Sequence, residues 1–102
     1  MPRQNPDRQQ ILKDAWTGDA VLTLYARRRI LRESAQIDAP KAERMTSNQF
    51  LATIGEPSEV EASIGRVYDQ HGLEAAFAWI ESHLMPLHEK QEANRLKRNA
   101  RA

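Results

Sequence analysis

Hydrophobic positions recur every three to four residues along most of the chain, which is the spacing of a helix that buries one face. No segment alternates apolar and polar residues over several positions, as a half-buried strand does. The first helical pattern runs from about residue 9 to residue 33, and we expect the polar residues 1–8 before it to be disordered. The pattern therefore predicts an all-α protein.

Helix-breaking residues divide the rest of the chain. Asp38 suits the N-cap of a second helix, which we expect to end at Gly55. Pro57 stands in the first turn of a third, which should stop just before Gly72. A fourth should end at Pro86, and a last helix frays into the C-terminus. The prediction is a compact bundle of four to five helices.

Length and composition limit the class of protein. The 102 residues make one domain, which we assign to residues 9–88, followed by a basic tail at 89–102. There are no cysteines, so disulfides and thiolate metal sites are excluded. The N-terminus lacks the apolar core of a signal peptide, and no apolar run reaches the ~20 residues of a membrane span. We expect a soluble cytoplasmic protein with no membrane partner.

Two carboxylates occupy apolar stripes of the predicted helices. Residues three, four and seven positions from Asp19 are mostly apolar, and Glu61 also has apolar neighbours at helical spacing. We therefore expect both side chains to point at protein. Gly18 and Gly65 stand beside them inside helices, where each costs roughly 1 kcal/mol relative to Ala. The glycines suggest close helix packing, which would bring the acids together as hard oxygen ligands for Mg²⁺ or Mn²⁺.

A simpler interpretation is that each acid forms an ordinary salt bridge. Arg44 and Arg66 are available as partners, and spacing alone favours this alternative. Asp14 and Glu59 are further carboxylates, but neither shares a helix face with Asp19 or Glu61, and we assign them no role.

Three segments in order resemble the ribonuclease III family over about residues 12–85. Residues 16–31, "WTGDAVLTLYARRRIL", resemble the signature helix of that family, and residues 44–55, "RMTSNQFLATIG", its Arg-x-x-x-Ser-Asn helix. Residues 60–80, "VEASIGRVYDQHGLEAAFAWI", resemble its Glu-Ala-x-x-Gly motif and the helix that follows.

The departures from the family pattern concern acidic positions. Leu12, Ala15 and Ser58 stand where the family site carries further acids, while Asp19 and Glu61 match. The mini-ribonuclease III branch also has Ala before its Gly-Asp-Ala and works without a double-stranded-RNA-binding domain. The chain is closest in character to that branch.

The resemblance implies a ribonuclease III endonuclease-domain-like fold and a homodimer packed along the signature helices. It implies that Asp19 and Glu61 are catalytic and bind Mg²⁺, with Mn²⁺ as an alternative ion. The activity would be that of an endoribonuclease hydrolysing double-stranded or structured RNA to 5′-phosphate and 3′-hydroxyl ends. Asn48 matches the Ser-Asn position of the family and would lie near the site. With so few acids, one ion is expected.

Two other functions stay open. The missing acids favour an inactive ribonuclease III-like dimer that binds structured RNA or a protein partner. A helical interaction module with coincidental motifs is the other alternative.

Basic residues follow the signature helix and fill the tail, although the 15 Lys and Arg residues nearly balance the 14 acids. We assign RNA phosphate contacts to Arg27, Arg28, Lys97 and Arg98, with a solvated surface as the alternative.

The remaining aromatic, large apolar and histidine side chains receive structural predictions. His71, His83 and His88 are expected at the surface or at helix ends. Core or dimer contacts are expected of Trp16, Leu22, Tyr25, Phe50, Phe77, Trp79 and Leu84.

Overall fold

Helices account for most of residues 6–101, the part of the chain that this computed structural model describes. In chain order they are α1 (Pro6–Ser34), α2 (Ala39–Thr46), the single turn α3 (Asn48–Leu51), α4 (Pro57–His71), α5 (Leu73–His83) and α6 (Met85–Arg101). Residues 6–101 contain no strand, so the predicted all-α class is confirmed. Residues 1–5 of the predicted disordered segment lie outside the described part, and α1 begins earlier than the pattern indicated.

Helix starts follow local capping chemistry, as predicted. The Asp38 carboxylate accepts a hydrogen bond from the Lys41 amide at 3.0 Å and begins α2. The Glu56 carboxylate accepts one from the Glu59 amide at 2.7 Å and begins α4. Gly72, with φ of +92°, ends α4 in a conformation that only glycine adopts easily.

The second predicted helix is wrong in its C-terminal half. It ends at Thr46 instead of Gly55, because Ser47 adopts an extended conformation with φ of −69° and ψ of 153°. The Ser47 hydroxyl then accepts a hydrogen bond from the Phe50 amide at 3.1 Å, which starts α3. Apolar spacing continues across this break, so periodicity alone did not reveal it.

The boundary between the last two helices also differs from the prediction. α5 ends at His83 instead of near Pro86, which lies in the first turn of α6. Proline is well tolerated there because the amide it lacks would have no helical partner. The helix then includes the basic tail, from residue 89 to Arg101.

The core lies around α1, which contacts α2, α4 and α5. Completely buried large side chains come from five helices or their ends: Leu22, Met45, Leu51, Ile64, Ile80 and Leu84. Burying each stabilises the fold by roughly 1.5–3 kcal/mol. Among the predicted core residues Leu22, Tyr25, Phe50 and Leu84 are buried, and Phe77 and Trp79 are partly buried.

One face of α1 has no neighbour within the described protomer. Leu12, Trp16, Leu24 and Leu31 are exposed on it, and Trp16 is 82% exposed. Trp16 is therefore outside the core of the protomer, and of its two predicted roles the dimer contact stays a prediction. Within the described residues, no helix is both long and apolar enough to cross a membrane.

Ion pairs attach α6 to the rest of the bundle. The Arg29 guanidinium on α1 lies 2.6 Å from a Glu89 carboxylate oxygen. Arg44 on α2 binds Glu92 through two nitrogens, at 2.8 and 3.1 Å. A bidentate pair of this kind fixes the orientation of both side chains.

Candidate metal centre

Two glycines bring α1 and α4 into backbone contact. A Cβ on Gly18 would overlap the carbonyl oxygen of Glu61, and a Cβ on Gly65 would overlap the carbonyl oxygen of Asp14. The contact is reciprocal, because each missing side chain makes room for the backbone of the facing helix. The predicted close approach of these two helices is confirmed.

This contact places Asp19 and Glu61 side by side. Asp19 follows Gly18 directly, and Glu61 supplies the carbonyl that faces Gly18. Both acids line one cavity of about 520 Å³, together with Asn48 from the start of α3. The predicted convergence of the two carboxylates is thus present in the fold, and it includes the asparagine.

The environment of Glu61 disfavours its negative charge. Burial raises the pKa of Glu61, and a hydrogen bond to Asp19 and the charges of Asp19 and Glu56 raise it further, to about 7. A protonated Glu61 can donate a hydrogen bond to the Asp19 carboxylate, whereas two ionised carboxylates within hydrogen-bonding reach repel each other. Perturbed acids of this kind are common at functional sites.

The simple salt-bridge interpretation does not hold for this pair. Arg66 lies 3.6 Å from Asp14, and Arg44 is held by Glu92. Within residues 7–100, neither Asp19 nor Glu61 forms an ion pair with a basic side chain. The negative charge of the pair is therefore not neutralised by an ion pair from the described protein.

The expected burial of Asp19 is wrong. Its side chain is exposed, because its apolar neighbours Leu12 and Trp16 lie on the uncovered face of α1. The buried acid of α1 is Asp14, which is 8% exposed and accepts a hydrogen bond from Gln10 at 3.0 Å. Asp14 is partnered and structural, which agrees with giving it no role in the site.

The donor set fits a magnesium ion with few protein ligands. The described residues contain no group of three or more His, Cys, Asp or Glu side chains placed to hold a metal. The cavity instead offers two carboxylates, the Asn48 amide and the Ser58 hydroxyl. Mg²⁺ is commonly held by one or two carboxylates, with waters and substrate phosphates as its other ligands. The donors match that pattern and lack the nitrogen and sulfur ligands that Zn²⁺ prefers.

The three positions that depart from the family pattern line the same cavity. Leu12, Ala15 and Ser58 lie around the acid pair, where further carboxylates would be able to reach an ion. None of the three side chains is ionisable, so the cavity lacks the acids that a second well-held ion would require. The binding of a single ion stays a prediction.

The basic residues predicted to bind RNA do not gather at the acid pair. Arg27 and Arg28 are exposed on α1, and Arg27 borders a different cavity beside α2. Lys97 and Arg98 are exposed on α6. Sequence reasoning missed Lys13, which lines the acid cavity but appeared as one of many charged positions on the first helix.

The histidine prediction holds for two of the three residues. His71 and His83 are exposed at helix ends, and His83 stacks on Trp79 with ring centroids 4.2 Å apart. His88 is 3% exposed and meets Phe50 edge-on, so its predicted surface position is wrong. Burial lowers the pKa of His88, which favours the neutral ring.

Comparisons with protein-family models, with curated proteins and with solved structures each found no match. The ribonuclease III resemblance therefore depends on the three motifs and gains no support from these comparisons.

Proposed function

We propose that the protein is a divalent-metal-dependent endoribonuclease that cleaves double-stranded or structured RNA as a homodimer. The observation that carries the proposal is the pair formed by Asp19 and Glu61 across the Gly18–Gly65 contact. Asp19 and Glu61 match positions that the ribonuclease III family uses for its metal site. They line one cavity although they are 42 residues apart in sequence.

The residues of the cavity suit phosphodiester hydrolysis. Asp19 and Glu61 provide the negative charge that holds one Mg²⁺, and ion binding favours the ionised form of Glu61. When bound, the ion supplies Lewis-acid stabilisation of charge on the scissile phosphate and lowers the pKa of water. The Lys13 ammonium in the same cavity attracts a non-bridging phosphate oxygen. Attack by water at phosphorus breaks the bond to the 3′ oxygen, which leaves 5′-phosphate and 3′-hydroxyl ends.

The uncovered face of α1 supports the homodimer. Leu12 and Trp16 belong both to this face and to the wall of the acid cavity. A second copy packed along α1 would cover them and place the two acid pairs on one surface.

A cleavage assay on labelled double-stranded RNA tests the proposal. We expect cutting with Mg²⁺ or Mn²⁺, none with EDTA, and a loss of about 100-fold or more in Asp19→Asn and Glu61→Gln. Glu59→Gln is the matched control, because Glu59 is an exposed acid on the same helix. Normal cutting by Asp19→Asn would overturn the site.

A second candidate function is RNA binding without catalysis. The observation in its favour is that Leu12, Ala15 and Ser58 leave only two acids in the cavity. It predicts RNA binding that is independent of divalent metal and unchanged in Asp19→Asn. Absence of cleavage on several duplexes, together with such binding, would favour this function over the endonuclease.

A further inference from the structure

A second cavity lies on the other side of α3 from the acid pair. It has a volume of about 310 Å³ and is bordered by α2, α3 and α6. Three arginines, Arg44, Arg95 and Arg98, reach it from two helices. Arg98 is one of the residues predicted to contact RNA, and the fold places it at the same cavity as Arg44 and Arg95.

Only one of the three arginines at this cavity is held in an ion pair. Glu92 is held by Arg44 in the bidentate pair at 2.8 and 3.1 Å, so these two residues neutralise each other. Within the described residues, Arg95 and Arg98 form no ion pair with a carboxylate. The charge of Arg95 helps to lower the pKa of the nearby Glu92 carboxyl, but in the described part neither Arg95 nor Arg98 is held in an ion pair. Guanidinium is the group that best matches a phosphate in geometry and charge.

Neutral polar groups complete the lining. Gln49 and Gln91 contribute amide groups, and the Ser47 hydroxyl accepts the Phe50 amide while keeping its own proton for donation. His88 is 3% exposed, and no described residue is hydrogen-bonded to its ring nitrogens. The His88 ring also lines the cavity.

The single turn α3 connects this cavity to the acid pair. Asn48 lines the acid cavity, while its neighbours in sequence, Ser47 and Gln49, line the arginine cavity. The two cavities therefore lie on either side of this single turn.

We infer that the cavity between α3 and α6 binds a phosphodiester of the same RNA backbone, through Arg95 and Arg98 as phosphate ligands. The inference rests on the proposed function, because it takes RNA as the molecule bound. It distinguishes positions along α6: Arg95 and Arg98 line the cavity and contact the RNA there, whereas Lys90 does not line it.

The test compares two double variants that remove equal charge, one pair at the cavity and one pair outside it. Binding of labelled double-stranded RNA is measured in EDTA, so that no cleavage occurs, over a series of salt concentrations. We expect Arg95→Gln with Arg98→Gln to weaken binding by about fivefold or more. The slope of log binding constant against log salt concentration should fall in magnitude by about one. Lys90→Gln with Arg32→Gln should leave affinity within about twofold, because neither side chain lines the cavity. Equal effects of the two pairs would overturn the inference.

Two further measurements identify the ligand and keep the two proposals apart. The imidazole NMR signals of His88 should shift when the duplex is added, and inorganic phosphate alone should compete weakly. Shifts with phosphate but not with duplex would overturn the assignment to an RNA backbone. If the arginine pair governs binding but no RNA is cut, only the proposed function fails; if RNA is cut and the pairs behave alike, only this inference fails.

Discussion

Replacing Glu61 with Gln should stabilise the protein at alkaline pH. The pKa of Glu61 is about 7 in the folded state, against an ordinary value of 4.5. The folded protein therefore keeps a proton on Glu61 that the unfolded chain has lost, and stability falls as pH rises from about 4.5 through 7. Gln cannot ionise, so the variant avoids this loss.

The size of the effect follows from the raised pKa. A rise from 4.5 to about 7 corresponds to roughly 3.4 kcal/mol at about 1.36 kcal/mol per pH unit, as an upper bound. The cavity is open to solvent, and screening reduces this figure, so we expect about 1–2 kcal/mol. The gain should be several-fold larger at pH 8 than at pH 5, where the folded protein keeps the proton on Glu61 and only roughly a quarter of the loss has developed.

Urea unfolding at pH 5 and pH 8 measures this difference. EDTA is present, and protein concentration is held fixed because subunit association changes apparent stability. His88, whose pKa is lowered by burial, shifts stability in the opposite direction over part of this range. Its contribution cancels in the comparison of Glu61→Gln with wild type. Glu59→Gln serves as the control and should change little at either pH.

Added Mg²⁺ provides an internal check. Ion binding compensates the repulsion between Asp19 and Glu61, so at pH 8 it should stabilise wild type more than Glu61→Gln. If the gain of Glu61→Gln over wild type were equal at pH 5 and pH 8, the raised pKa of this carboxyl would be refuted.

Three further predictions concern packing, the end of α1 and its uncovered face. Gly18→Ala should lower the free energy of unfolding by about 2 kcal/mol or more, because the new Cβ overlaps backbone on α4. In the same denaturation assay Gly55→Ala should stay within about 0.5 kcal/mol, and equal losses would contradict the close packing. Ala35→Gly should raise the free energy of unfolding by about 1 kcal/mol, because φ of +60° at residue 35 strains any side chain but not glycine. A lower free energy of unfolding on chemical denaturation would show that this backbone strain is absent. Trp16→Glu should sediment as a monomer. Ile37→Glu, whose side chain lies between α1 and α2 and is 89% exposed, should still sediment as a dimer, and a dimer in both variants would exclude the α1 interface.

Local sequence chemistry was sufficient to predict most helix ends and the close contact between α1 and α4. Asp38 and Gly72 act through their own backbone and side-chain geometry, which a few neighbouring residues determine. Gly18 and Gly65 were informative because glycine inside a helix is unfavourable unless another backbone needs the space. The convergence of the two acids follows from that contact.

Tertiary information was required for the rest. A helical pattern shows which residues share a face but not whether another element covers it. Asp19 was therefore expected to be buried, and Trp16 could be assigned only to the core or to a dimer contact. The position of His88 depends on how α6 packs against Phe50 in α3. Residues so distant in sequence carry no periodic relation that would reveal this contact.

The most direct test of the central claim is whether the carboxylate pair holds a divalent ion. Mn²⁺ binding is followed by electron paramagnetic resonance, in which bound ions lose the sharp signal of the free ion. We predict one ion per protomer in wild type and in Glu59→Gln, and none in Asp19→Asn or Glu61→Gln at the same concentrations. Equal binding by all four proteins, each shown to be folded, would contradict the assignment of Asp19 and Glu61 as the metal centre.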